Sequence, residues 1–157
     1  MAFFKFDDGD YWLQAPQWLK EIFPTLGARE NGIAMWVLGS EEQGWDPPAV
    51  SVLEMAPNYT LFKHAHPCYR FEIIVRGEMT NEYGVVLKPG DVMTAAPMEV
   101  YGPHTAGPEG CVTLEVFSQL GDAMRVFTDD KDGNFREFDS RKGEIPDQYE
   151  LIVREVS

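Results

Sequence analysis

A succession of short β-like runs, separated by turn-forming residues, sets the strongest limit on the fold of this chain. The runs are rich in β-branched and aromatic residues, and glycine, proline or acidic residues separate them. This pattern is typical of an all-β sandwich or barrel. The predicted strands cover residues 32–38, 49–55, 60–66, 70–76, 91–96, 111–117, 123–128, 134–139 and 149–156.

Turn chemistry is found between several of these runs. We predict turns over residues 56–58, 88–91, 106–110 and 129–134. The last segment, DDKDGN, is rich in acids, but their spacing from Gly133 does not match a calcium-binding EF-hand loop. A hairpin turn at Asp132-Gly133 is therefore predicted. One short helix is predicted over residues 15–23, because Trp18, Leu19 and Ile22 share a helical face.

Length and charge limit the class of protein. The 157 residues predict one domain, with a barrel core over about 32–118 and an N-terminal arm over 1–31. The strands of 119–157 are predicted to pack on that core or on a partner subunit. The formal charge of −13 disfavours binding to nucleic acids and to anionic membranes. No apolar run approaches the roughly 20 residues of a membrane span. The absence of a signal-like start and the two cysteines predict a cytoplasmic protein.

The chain contains three histidines, and two of them stand one residue apart. In a strand, residues i and i+2 project from the same face, so His64 and His66 are expected to point the same way. Imidazole nitrogen is a good ligand for zinc, copper, iron and nickel. Two neighbouring histidines also occur as ordinary core or surface residues, so the pair by itself leaves both interpretations open.

The context of the third histidine makes the pattern more specific. After the pair come an apolar run and Gly77, and then a glycine-aspartate turn, a strand, a proline-rich loop and His104. This order resembles the two sequence motifs of the cupin family. The resemblance covers about residues 50–118 and accounts for all three histidines.

The chain departs from the cupin pattern at four positions. Asn58 stands at the first glycine position, where asparagine also accepts a positive φ angle. Arg70 stands where the family has its metal-binding glutamate, and arginine cannot bind a metal. In the second motif, Pro97 precedes His104 by seven residues rather than five, and Pro108 replaces an asparagine. The second motif therefore matches the family pattern only in part.

The resemblance implies a cupin-type double-stranded β-helix, that is, a jelly-roll barrel, commonly as a homodimer. It implies that His64, His66 and His104 bind one divalent transition metal, with Fe(II) expected first and zinc, nickel or manganese as alternatives. The loss of the glutamate is similar to the three-histidine acetylacetone dioxygenase and dihydroxyacetophenone dioxygenase type. That type implies a dioxygenase that uses dioxygen to cleave a carbon–carbon bond in a small diketone, hydroxyketone or phenolic substrate. A non-redox isomerase or hydrolase, or a small-molecule sensor, remains an alternative.

Further residues near the histidines are candidates for the site. Arg70 could hold an anionic substrate or form an ion pair with an acid such as Glu72. A fourth ligand, or a hydrogen-bond partner for an imidazole, could come from Glu72, Glu82 or Glu99. Tyr69 and Tyr101 border the histidine segments and are predicted, with Glu72, to line the substrate pocket.

Overall fold

The computed structural model describes residues 44–148. The predicted helix at 15–23, the strands at 32–38 and 149–156, and the N-terminal arm lie outside these residues. The described strands are β1 Ala49–Met55, β2 Thr60–Leu61, β3 Arg70–Thr80, β4 Val86–Leu87, β5 Val92–Ala95, β6 His104–Phe117, β7 Arg125–Asp129 and β8 Phe135–Asp139. One helical turn, α1, spans Leu120–Ala123, and a 3-10 turn spans Ser140–Lys142.

The all-β prediction is confirmed, and β1 has its predicted bounds. Strands β3 and β6 are longer than predicted. Strand β7 begins at Arg125 rather than at residue 123, because α1 occupies the chain as far as Ala123. The short strand β4 was not predicted. Within residues 44–148, no helix has the length and apolar character required to span a membrane.

The predicted turn over 106–110 is wrong, because β6 runs through it without reversing. This part of β6 lies between two stretches of pairing with β3, which end at Ala106 and resume at Cys111. Proline is tolerated at position 108 because no ladder hydrogen bond is required of it there. Gly110, at φ +82°, accommodates the irregularity. Local composition resembled a turn, but the partner strand keeps the segment extended.

The strands form an antiparallel sheet in which β3 and β6 are the central pair. The order is β1-β6-β3-β4, with β2 also paired to β6 and β5 also paired to β3. Strands β7 and β8 form the predicted hairpin, and Gly133 in its turn has φ +82°. The turn predicted at 56–58 is also present, with Asn58 in the left-handed region at φ +60°.

Two buried apolar clusters lie towards opposite ends of β1 and β6. One consists of Ala49, Cys68, Phe117, Leu120, Ala123 and Met124, and the other of Leu53, Met55, Leu61, Ile74, Met79, Ala106 and Cys111. A row of polar side chains crosses the sheet between them. In this row Ser51 of β1 pairs with Glu115 of β6, which pairs in turn with Glu72 of β3. All three are buried, so the interior has a polar centre between apolar ends.

Gly77 allows β3 and β6 to approach closely at a bulge. Its φ is +71°, and a Cβ atom placed on it would lie 2.1 Å from the carbonyl oxygen of Gly110. A residue with a side chain would therefore be strained in its backbone and would also collide with a neighbouring main chain. The glycine that ends the predicted strand pattern is required by the packing of the two central strands.

We expect Gly77→Ala to lower the free energy of unfolding by about 3 kcal/mol or more. The control is Gly133→Ala, which also has a positive φ but open space around its Cβ position. Backbone strain alone predicts a cost of about 1–2 kcal/mol for that control. Urea unfolding of both variants measures the difference. Equal costs would show that the contact with Gly110 is relieved without loss of stability.

Candidate functional site

The first two histidines lie on an extended segment between two neighbours. His64 exchanges two backbone hydrogen bonds of 3.0 Å with Tyr101, and Ala65 exchanges two of 2.9 Å with Phe127 on the other side. This alternation is that of a β-strand. His64 and His66 consequently project in the same direction, as predicted, with ring centroids 5.4 Å apart.

Both rings of this pair are fixed through Nδ1 by main-chain carbonyls. Nδ1 of His64 donates to the carbonyl oxygen of Phe62 at 2.8 Å, and Nδ1 of His66 donates to that of Asp122 at 3.3 Å. Since a carbonyl only accepts, the hydrogen is on Nδ1 and the lone pair is on Nε2. Burial lowers the pKa of each imidazole to about 3. Both rings are therefore neutral at pH 7, which is the form that binds metals.

His104 begins β6 and lies between two carboxylates. Its Nε2 is 3.2 Å from Oε2 of Glu82, and its Nδ1 is 3.9 Å from Oε2 of Glu72. Nδ1 is buried and has no hydrogen-bond partner among residues 44–148. Burial lowers the pKa of this imidazole as well. Within the part of the chain that the structure describes, Nδ1 is thus the nitrogen of the third histidine without a hydrogen-bond partner.

Tyr101 packs against His64 of the histidine pair and against His104. Its ring centroid is 4.5 Å from that of His64 and 5.8 Å from that of His104, on which it stacks.

Among residues 44–148, no three histidine, cysteine or acidic side chains are grouped closely enough to hold one ion. The donor chemistry of the histidines therefore fits a metal, but their placement requires side-chain movement before His104 can join the pair.

Arg70 is the centre of a buried ionic cluster. Its side chain points inward with the residue only 3% exposed, and Nη1 donates to Oε2 of Glu72 at 3.0 Å and also to Glu115. Thr113 donates to Glu72 at 2.9 Å, and Ser51 donates to Glu115 at 3.1 Å. Burial raises the pKa of the Glu72 carboxyl. The position at which cupins have a glutamate is thus occupied by a cation that two acids from neighbouring strand positions compensate.

The guanidinium of Arg70 also contacts the aromatic part of the site. It lies over the ring of Tyr101, with its central carbon 3.8 Å from the ring centroid. Such stacking of a guanidinium on an aromatic face is favourable. The ionic cluster and the histidines are therefore one connected structure, with Tyr101 as the shared element.

Two other predicted site residues lie apart from the histidines. The carboxylate of Glu99 accepts the Ala96 N–H at 2.8 Å within an exposed turn. The side chain of Tyr69 is mainly in solvent, with the residue 63% exposed. Among residues 44–148, no hydrogen bond, ion pair or ring contact joins either residue to a histidine. Glu72, Glu82, Arg70 and Tyr101 are the predicted residues that the structure does place beside them.

The acid that sequence interpretation missed is Glu115. In the strand CVTLEVF it alternates with Cys111, Thr113 and Phe117, all of which are buried. A charged residue on the buried face of a strand is uncommon unless it is paired with a residue of opposite charge. This parity could have identified Glu115 as an interior acid. It could not have identified Arg70 as its partner.

Several solved structures that resemble this chain are cupins or cupin-like proteins. A cupin-like protein from Thermotoga maritima is 27% identical over 54% of this chain and 66% of that chain, with a TM-score of 0.45. An acetylacetone dioxygenase from Acinetobacter johnsonii is 14% identical over 69% of this chain and 73% of that chain, with a TM-score of 0.49. A sugar phosphate isomerase of the cupin superfamily from Silicibacter pomeroyi is 17% identical over 78% and 86%, with a TM-score of 0.47.

The strands and their antiparallel pairing confirm the all-β class, and the cupin type stays a prediction. In the first three solved structures that match, the aligned part spans 68%, 62% and 66% of those chains, about two thirds of their length. No family model matches the chain. No curated protein matches it either. The two enzymes named above, a dioxygenase and an isomerase, belong to different reaction classes.

Proposed function

We propose that the protein is a metal-dependent cupin enzyme in which His64, His66 and His104 bind one divalent transition metal. The observation that carries this proposal is the burial and hydrogen bonding of the His64–His66 pair. Both rings are buried, and both donate Nδ1–H to main-chain carbonyls, which leaves the lone pair of each neutral ring on Nε2. A hydrogen bond from the second ring nitrogen is the usual way in which proteins orient a metal-binding histidine.

We propose Fe(II) as the metal and dioxygenase activity as the function. When bound, Fe(II) supplies Lewis-acid chemistry and reaction with dioxygen. Three neutral imidazoles leave the charge of a dication uncompensated, which favours a substrate that binds as an anion, such as the enolate of a diketone or hydroxyketone. The residues of the chain would orient this substrate. Tyr101 supplies an aromatic wall. The buried Arg70–Glu72–Glu115 cluster holds Tyr101 in place through the Arg70 guanidinium, which lies over the ring.

The neutralised state of Arg70 refines the expected role of this residue. Two acids already accept hydrogen bonds from its guanidinium, so its charge is largely compensated within the protein. We therefore assign Arg70 to the support of the site rather than to the capture of an anionic substrate. The affinity for an enolate is expected to come from the metal.

We expect the Fe(II)-loaded protein to consume dioxygen when it is given a 1,3-diketone, an α-hydroxyketone or a catechol. An oxygen electrode measures the uptake, and product analysis identifies the cleaved bond. The protein loaded with zinc is the matched control, because zinc has no redox chemistry and should give no uptake. A metal-loaded protein that consumes no dioxygen with any of the three substrate classes would favour the non-redox alternative, an isomerase or hydrolase.

A further inference from the structure

The guanidinium of Arg70 carries a hydrogen-bond donor that its two acids do not use. Both carboxylates are bound through Nη1, that of Glu72 at 3.0 Å and that of Glu115 as well. The Nε–H group of the same guanidinium is buried, and no atom of residues 44–148 accepts its hydrogen. Burying a donor without an acceptor is unfavourable, and such groups are rare in folded proteins. An acceptor that these residues do not supply is therefore expected at Nε.

Two other arginines show the opposite arrangement. Nε of Arg125 donates to Glu137, and Nε of Arg141 donates to Asp139 at 2.9 Å. Both side chains are partly exposed, so that solvent could also serve their donors. Arg70 is 3% exposed and has little access to solvent, yet its Nε–H has no acceptor within the described part of the chain. The free donor thus stands at the arginine for which it is most unfavourable.

The guanidinium that carries this donor lies beside the histidines. Its central carbon is 3.8 Å from the ring centroid of Tyr101, and that ring also packs against His64 and His104. The charge of Arg70 helps to lower the pKa of all three imidazoles, including that of His66, although burial is the larger cause. Because the interaction between charges weakens with distance, this effect agrees with the ring contacts. A ligand bound at the histidines would therefore lie close to Arg70.

Charge determines which class of acceptor suits this donor. Glu72 and Glu115 already compensate the cation, so a further carboxylate or phosphate beside Nε would be repelled by their negative charge. A neutral carbonyl or hydroxyl oxygen accepts an N–H group without that repulsion. The donor therefore favours an uncharged oxygen over an anion.

We propose that Nε–H of Arg70 donates to a neutral carbonyl or hydroxyl oxygen of the ligand bound beside the histidines. Arg70 then selects ligands by the position of an oxygen, while the two acids keep its charge within the protein. The choice of a diketone or hydroxyketone as this ligand rests on the proposed function. The free donor is a feature of the protein alone.

The test is NMR of the arginine Nε–H groups in the full chain, without metal and with zinc, using acetylacetone as the probe. Through-bond ¹H–¹⁵N experiments assign each Nε–H group to its residue. We expect titration with the diketone to shift the Arg70 Nε–H proton downfield, as a new hydrogen bond requires. The Nε–H groups of Arg125 and Arg141 are the internal controls and should not move, because their acceptors are already in place.

A second readout is the affinity for acetylacetone, measured by the same titration. Arg70→Lys keeps a cation between the two acids but lacks the Nε–H group, and we expect its dissociation constant to rise about 10-fold. Arg125→Lys is the matched control and should bind the diketone as the wild-type chain does. Unfolding curves show whether Arg70→Lys is folded, and the spectra of the wild-type chain decide the question without this variant.

Three results would overturn the proposal. One is an Arg70 Nε–H signal that does not move with the diketone in either form of the protein. Another is a nuclear Overhauser effect from Nε–H to a water molecule that persists when the diketone is bound. The last is equal affinity for the diketone in the wild-type chain and folded Arg70→Lys. If the chain binds no transition metal, the proposed function fails, whereas a shift of Arg70 Nε–H in the metal-free chain would still support this role.

Discussion

His64→Ala is expected to reduce the bound transition metal from about one ion per chain to background. The substitution removes one of the two nitrogen donors that the main chain already orients, and only His66 of that pair remains. The expected loss of affinity exceeds the roughly 10–100-fold typical of an altered outer hydrogen-bond partner. Elemental analysis of protein purified without chelators, followed by titration with Fe(II) under anaerobic conditions, measures both quantities.

The matched control for this substitution is Tyr69→Ala, which truncates an exposed side chain close to the histidine pair in sequence. It should bind metal as the wild-type chain does. Circular dichroism and unfolding curves show whether His64→Ala is folded, and His66→Ala repeats the test at the second member of the pair. A wild-type chain that refuses iron, zinc, nickel and manganese would end the metal hypothesis. Full metal binding by His64→Ala would exclude this residue from the site.

Arg70→Met is expected to lower the free energy of unfolding by about 3–5 kcal/mol. Methionine approximates the aliphatic part of arginine but removes the guanidinium, which leaves the carboxylates of Glu72 and Glu115 buried without their shared partner. Removing one member of a buried ion pair is costly because the remaining charge is still desolvated. Urea unfolding at neutral pH measures the loss.

Arg76→Met provides the comparison on the same strand. Arg76 pairs with Glu54 at 3.7 Å, and its side chain is largely in solvent, so the cost should stay below about 1 kcal/mol. Adding Glu115→Gln to Arg70→Met removes one stranded charge and should recover part of the lost stability. If Arg70→Met cost no more than Arg76→Met, the buried cluster would not have the energetic role assigned to it.

Local sequence patterns were sufficient for the features that depend on one segment at a time. The alternation of residues predicted β1, and the i and i+2 spacing predicted the shared direction of His64 and His66. Turn chemistry predicted the hairpin at Asp132-Gly133. Where local composition and tertiary pairing disagreed, pairing prevailed. The glycine- and proline-containing segment at 106–110 remains part of β6 because β2 and β3 pair with residues 104–106, and β1 and β3 pair with Cys111.

These local patterns could not predict the contacts that define the site. Arg70 meets Glu115 across 45 positions of sequence, and Ser51 meets Glu115 across 64. The register of β1, β6 and β3 brings these residues together. That register is set by bulges near Gly77 as well as by turns, and a shift of one residue would move every side chain to the other face. No property of the individual residues specifies which partners result.

The sequence by itself determined the all-β class, the turns at 56–58 and 129–134 and the shared direction of two histidines, because side-chain periodicity and turn preferences act over a few neighbouring residues. Only the tertiary structure decided that Arg70 is neutralised by two buried acids, that Tyr101 lies against His64 and His104, and that Glu82 engages Nε2 of His104. Each of these depends on the distance between atoms of segments that are far apart in sequence, which the packing of the sheet sets.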